Sequence, residues 1–493
     1  MSDTFPRQHA RTQRLTLGEP RNFTVSPDGA RIVFARSATG SDPVNMLWVL
    51  DVESGTERTV LDPRNIPADL AALTDEEKRR RERAREGAGG VVSYSCDADA
   101  TKAVTILGGQ LFVVDLLTDA VSTPAVAPGV FDARLSPDGT RIAYVRGASL
   151  CMCDLAGNER VIAHEDSANV SWGSADFIAA EEMGRQRGYW WSPEGTHIAA
   201  CRVDESPVDV WHIADPAHPE RGAVEHRYPA AGTQNALVEL AVINVATTAR
   251  VPVLLPVHHE YLNSVSWTAG GLIAQTQTRD QRAVTVSRID PSTGDCTTVF
   301  EDIDDAWVEL VPGVPFVDSH GHLVTCADRD GVRRVLVDGA PVTPRHLQVR
   351  SVIAGGSRIV FVANKADTPW VHNIFIVNPD GSDLQNVHPT DGIVSGTSLG
   401  STTVVRTSSL DSSRASFSVL LDKREIGIRS LAEEPLVSPN VRITTVGPRN
   451  IPIAILTPRD GKDTKLPVLF DPYGGPDRKS TRLNSSHEWI SRM

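Results

Sequence analysis

One short pattern is written several times along the chain, and it limits the folds open to it. Ser26-Pro27-Asp28-Gly29 precedes the run ARIVFAR, Ser136-Pro137-Asp138-Gly139 precedes TRIAYVR, and Ser192-Pro193-Glu194-Gly195 precedes THIAACR. Proline and glycine pre-set a turn, and the period-two alternation that follows is that of a half-buried strand. Second strands are expected at Met46 to Asp51, Leu111 to Asp115 and Ser149 to Asp154. Weaker copies lie near Cys96, Trp267, Ser319, Gly355 and Leu399. That makes about eight units, most at intervals of about 35 to 75 residues, the range of propellers and solenoids. A repeat made only of strands selects the propeller, whose blades stack because none can bury its faces alone. The expected fold is therefore mainly β: an N-terminal segment over 1–20, then a β-propeller of about eight blades over 21–435. The repeated turns have a structural explanation and are assigned no chemistry.

Composition narrows the function classes. A chain of 493 residues exceeds one ordinary core, and 40% hydrophobic with 23% charged residues is a globular balance. The net charge of -13 argues against nucleic acid as a partner. No stretch reaches the roughly 18 to 20 apolar residues of a membrane span, and MSDTFPRQHARTQRLTLGEP lacks a signal-peptide core. A cytoplasmic location without membrane attachment is expected. The six cysteines are scattered, so reduced thiols are expected, with Cys151 and Cys153 structural on one face of a strand. His258-His259 and His320-x-His322 lack a partner pair at metalloprotease spacing, and neither a P-loop nor a dinucleotide fingerprint occurs. No metal and no cofactor are expected.

Chemistry concentrates in two overlong intervals of the repeat. The first holds residues 74–87, TDEEKRRRERAREG, which read as a short charged helix with Thr74 and Glu77 as a capping box and Gly87 as a stop. The plain reading is a solvated helix with internal ion pairs. The second runs through the adjacent acids Glu181 and Glu182, the Trp190-Trp191-Ser192-Pro193 turn, and Arg227-Tyr228-Pro229-Ala230-Ala231-Gly232 followed by Asn235. Two adjacent acids are ordinarily solvated groups at a helix end. They also suit the holding of an ammonium group, because charge-assisted hydrogen bonds to carboxylate are about twice as strong as neutral ones.

The order and spacing of the double Glu, the WWSP turn and the RYPxAGxxN segment resemble the dipeptidyl peptidase IV branch of the prolyl oligopeptidase serine peptidases. The resemblance implies that Glu181 and Glu182 bind the free amino terminus of a peptide substrate. It implies that an arginine of the charged helix, Arg83 or Arg85, clamps a substrate carbonyl. The implied reaction releases N-terminal dipeptides, Xaa-Pro or Xaa-Ala, through a Ser-Asp-His triad in an α/β-hydrolase domain, and relatives often dimerise through that domain.

Beyond about residue 430 the repeat fades. Val441 to Val446, Ile451 to Thr457 and Leu466 to Asp471 read as three strands, ending in Asp471-Pro472-Tyr473-Gly474-Gly475-Pro476. Residues 436–476 thus resemble the truncated start of the family's hydrolase domain, with Tyr473 matching the tyrosine that stabilises the oxyanion. A phenol is neutral at working pH and can be aimed at developing charge. No G-x-S-x-G elbow follows that loop, and the tail DRKSTRLNSSHEWISRM over 477–493 drops the apolar patterning and reads as non-native. Ser480, Ser485, Ser486 and His487 are accordingly not assigned as a triad. The chain is expected to be inactive alone, with an apolar strand edge left uncovered. Two competing readings remain: a non-catalytic propeller that binds protein partners, and a tripeptidyl or acylaminoacyl peptidase of the same superfamily. The double Glu beside WWSP favours the dipeptidyl branch.

Overall fold

The computed structural model describes residues 3–66, 77–78, 81, 86–268, 270–421, 424–458 and 465–470. Among them strands dominate, grouped into successive antiparallel meanders that we label sheets I to VIII in chain order. They span residues 21–61, 94–122, 130–163, 170–252, 261–303, 316–341, 347–386 and 393–428.

The repeated turn joins the first strand to the second. In sheet I the Gly29 amide donates to the Ser26 carbonyl at 2.8 Å, and the Arg31 amide donates to Ser26 Oγ at 2.9 Å. In sheet III Gly139 and Arg141 make the same two bonds to Ser136, at 2.8 and 3.0 Å. In sheet IV Gly195 and His197 make them to Ser192, at 2.8 and 3.0 Å. All three glycines have φ between +64° and +68°, the left-handed region that a side chain disfavours. The weaker copies near Cys96, Trp267, Ser319, Gly355 and Leu399 likewise fall where a first strand ends and a second begins.

The half-buried strands expected from alternation are instead buried on both faces. In His197–Asp204, Ile198 and Ala200 pack against Ala143, Val145 and Leu150 of sheet III, while Ala199, Cys201 and Val203 pack against Leu262 and Leu272 of sheet V. Neighbouring sheets stack in this way along the chain, so each strand needs apolar side chains pointing both ways. The last sheet returns to the first: Val404, Phe417 and Ile428 of sheet VIII join Val25, Ile32 and Phe34 of sheet I. At this seam Arg36 is fully buried, 2.7 Å from Glu57, stacked 4.2 Å over Trp48, and bonded to the Arg429 carbonyl at 2.6 Å. The helix Phe5–Arg11 also crosses the seam, since Gln8 bonds to the Glu434 carbonyl and the Leu436 amide at 2.7 and 2.8 Å. The first strands of neighbouring sheets approach one another, as Tyr94–Cys96 does Val130–Leu135 and Leu347–Gly355 does Ile393–Leu399. They line the inner edge of the ring.

After the ring, Asn440–Val446 and Ile451–Thr457 pair as a hairpin, as the sequence suggests. Among the described residues Leu466 to Phe470 forms no ladder. Val468 and Phe470 are 87% and 82% exposed, and an apolar run becomes a strand only when another strand satisfies its backbone. In the charged segment Glu77, Lys78 and Arg81 are helical, with Glu77 and Arg81 paired at 2.7 Å.

Candidate functional site

The inner strand of sheet III is interrupted by a bulge. Phe131 faces Val145 and Arg134 faces Ala143, so Asp132 and Ala133 stand opposite a single residue, and Asp132 takes φ +46°. Sheet I has the same bulge at Asn22, φ +56°, between Arg21 and Thr24. Asn and Asp are the non-glycine residues that accept this conformation most readily. Each bulge is sealed by a tyrosine from the next sheet along. Tyr94 donates to the Asn22 and Val33 carbonyls, the latter at 2.8 Å. Tyr189 donates to the Asp132 and Ala143 carbonyls, the latter at 2.9 Å. Burial pushes both hydroxyls well above the usual phenol range.

Sheet IV departs from its neighbours at nearly the same point. Its inner strand is split into Val170–Trp172 and Tyr189–Trp191, both paired with His197–Asp204, and residues 173–188 leave the sheet between them. The base of this excursion is pinched shut. The Gly173 amide donates to the Cys201 carbonyl at 3.0 Å, and the Cys201 amide donates to the Gly188 carbonyl at 2.7 Å, so one residue holds both limbs. A β-carbon at Gly188 would lie 2.2 Å from the Ser174 carbonyl oxygen, which explains glycine there.

The excursion carries the short helix Phe177–Glu182. Asp176 caps its start by accepting from the Ala179 amide at 3.1 Å. The other oxygen of Asp176 takes Arg185 at 2.6 Å, with both side chains nine-tenths buried or more. Arg185 also donates to the carbonyls of Leu262, on the inner strand of sheet V, and Arg187, at 2.9 and 3.0 Å. Gln186 closes the turn onto the Ala180 carbonyl at 2.6 Å. The helix is thus tied at its start, behind its end and to the neighbouring sheet.

Glu181 and Glu182 are the last two residues of that helix, the first half-buried and the second exposed. Acids there oppose the helix dipole, at a cost of about 0.3–1 kcal/mol each in an exposed helix, and no basic residue occupies the last turn. The RYPxAG segment returns to the same helix: Tyr228 packs edge-on against Phe177, ring centroids 5.3 Å apart, and against Trp211 at 5.5 Å. Beyond it, Asn235 donates to Glu260 at 3.0 Å and Arg279 bonds to the Thr233 carbonyl, fixing the segment to sheet V. A cleft of about 1100 Å³ opens there, lined by Asn235, Glu239, Arg250, Glu260 and Arg279 among others, but not by Glu181 or Glu182. Arg83, Arg85 and Tyr473 lie outside the described residues. Cys151 and Cys153 are buried free thiols, and no cluster of potential metal ligands occurs among the described residues.

Sequence reading missed Asp176 and Arg185. Asp176 carries the signal of a helix cap, a short acid just before an apolar run. Arg185 has none, because only the folded chain shows that it is buried.

Comparison with known proteins agrees with this architecture. A family model described as the dipeptidyl peptidase IV (DPP IV) N-terminal region matches residues 105–402. Human dipeptidyl peptidase 8 is 24% identical over 319 residues, covering 53% of this chain and 35% of that protein. A probable dipeptidyl-aminopeptidase B of Ajellomyces dermatitidis is 23% identical over 431 residues, covering 74% and 46%. The chain thus spans less than half the length of these curated relatives. The crystal structure of Porphyromonas gingivalis dipeptidyl peptidase 4 superposes with a TM-score of 0.69 at 17% identity, over 88% of this chain and 64% of that one, and shares its fold. With more than half its length matched by the family model, the chain belongs to the dipeptidyl peptidase IV N-terminal region family.

Proposed function

We propose that this chain is the substrate-gating and amine-anchoring part of a dipeptidyl peptidase IV-like serine exopeptidase. In this reading sheets I to VIII are the eight blades of a propeller, and the hairpin after them opens an α/β-hydrolase domain. The observation that carries it is the split inner strand of sheet IV. A braced excursion at the ring's inner edge ends its helix on two adjacent carboxylates. A peptide ammonium can donate to both, and its anchoring sets how many residues separate the free end from the attacked carbonyl. Arg83 or Arg85 would hold a substrate carbonyl and Tyr473 would donate to the oxyanion, while the triad belongs to the hydrolase domain of the whole enzyme. Release of Xaa-Pro or Xaa-Ala is the expected chemistry.

Binding tests the reading without turnover. Calorimetric titration of this chain with Ala-Pro-Ala-Ala amide, free or acetylated at its amino terminus, should show the free peptide bound at least about 100-fold more tightly. That ratio corresponds to about 2.7 kcal/mol, within reach of two hydrogen bonds to charged groups. Changing Glu181 and Glu182 together to Gln should erase the ratio. Equal affinity for both peptides in the unaltered protein would remove the proposed role.

A further inference from the structure

The descending limb of the excursion carries a second charged feature. Arg187 is half-buried, its guanidinium stacked 5.3 Å over Trp190. Among the described residues no carboxylate and no hydrogen-bond acceptor is paired with that guanidinium, on a side chain that keeps part of its surface exposed. Arg134 and Asp132, on the bulged inner strand of sheet III, are the charged groups that act on it electrostatically. Asp132 is already committed, with Oδ1 2.7 Å from Arg134 and Oδ2 buried without a partner. Around Arg187, this part of the seam between sheets III and IV therefore sets two guanidinium charges against one carboxylate. Burial, and then Arg134, lower the Arg187 pKa to about 10, the signature of a cation short of a counter-charge. A planar guanidinium fixed by an aromatic face with its edge open is arranged to accept a carboxylate in a two-point contact.

We propose that Arg187, backed by Arg134, is a second anchor that binds a carboxylate of the peptide whose amine Glu181 and Glu182 hold. The inference rests on the amine-anchoring reading and adds a preference for acidic or short substrates. Two sources supply the group: the C-terminal carboxylate of a short peptide, or an acidic side chain beyond the first two residues.

Calorimetric titration of this chain with three probes separates them: Ala-Pro-Ala-Ala as free acid, the same peptide as amide, and Ala-Pro-Glu-Ala amide. The free acid, the Glu peptide or both should bind about tenfold more tightly than the neutral amide, and whichever does so names the source. Arg187→Gln should bring the three within about twofold of one another. The Glu181→Gln, Glu182→Gln double variant should weaken all three and keep their ratios, so the two anchors fail separately. Equal affinities in the unaltered protein, or a preference that survives Arg187→Gln, would overturn the proposal. If none of the peptides binds, melting in sodium acetate against sodium chloride at equal ionic strength decides it. Acetate should raise the midpoint of the unaltered protein and not of Arg187→Gln, and an identical response in both would overturn the second anchor.

Discussion

Sheets III and IV are built from the same parts and differ at one place. Both carry the Ser-Pro-(Asp/Glu)-Gly turn after the inner strand, and both are buried on two faces. In sheet III the inner strand accommodates a bulge by placing Asp132 in a left-handed conformation. In sheet IV, within one register step, the strand opens into residues 173–188 and closes again on Cys201. A bulge already frees backbone from the ladder and turns side chains away from the sheet. A longer insertion there leaves the rest of the sheet's pairing intact. The comparison teaches that the candidate site uses a weak point that the repeat already possesses.

The sharpest way to break this comparison is through the arginines. Arg185→Ala should destabilise the protein by about 3–5 kcal/mol, because Asp176 would be left as an unpaired buried charge. Arg134→Ala in sheet III, where the arginine of the pair with Asp132 is partly exposed and Arg187 remains as a second cation, should cost less, about 1–3 kcal/mol. Urea denaturation of the two variants measures both, and similar losses would mean that the excursion is not braced by its buried pair.

The sealing tyrosines allow a finer comparison. Tyr189→Phe and Tyr94→Phe each remove a hydroxyl from a bulge carbonyl, and each should cost about 1–2 kcal/mol. If the bulges of sheets I and III are equivalent, the two losses should agree within about 0.5 kcal/mol.

The smallest effect is one of pH. A hydrogen bond from Arg202 of sheet IV holds the Glu165 carboxyl below its ordinary range, and one from Arg146 does the same for Glu159 in sheet III. A folded-state pKa below the unfolded value of about 4.3 gives stability that is complete above that value and lost as pH falls through the folded one. Both pairs are partly exposed, so each should contribute at most about 1 kcal/mol. Melting from pH 6 down to 3 should show Glu165→Gln less stable than the unaltered protein at pH 6 and converging with it below pH 4. A constant gap would rule out the linkage.

Much of this was legible in the residues. The Ser-Pro-Asp-Gly turns, the strands beside them and the degenerate copies at Cys96, Trp267, Ser319, Gly355 and Leu399 fall where the strand order places them. Alternation misled in one respect, because it reads a strand as wet on one side whereas stacking dries both. The apolar run from Leu466 also misled, since apolar content alone does not provide a strand with a partner.

In the candidate site, the sequence by itself marked Glu181, Glu182, the tryptophan turn and the RYPxAG segment through their resemblance to a family pattern, because the order of residue types along the chain is legible without a fold. Only the tertiary structure decided that the glutamates stand on an excursion from a split inner strand, that Asp176 and Arg185 brace it, and that Arg187 stacks on Trp190 within the field of Arg134. Those facts depend on burial and on contacts between residues far apart in sequence, such as Arg185 with Leu262 and Tyr189 with Asp132. Such contacts exist only once the sheets have stacked and water has been excluded between them, and no local pattern encodes which charge will lose its solvent.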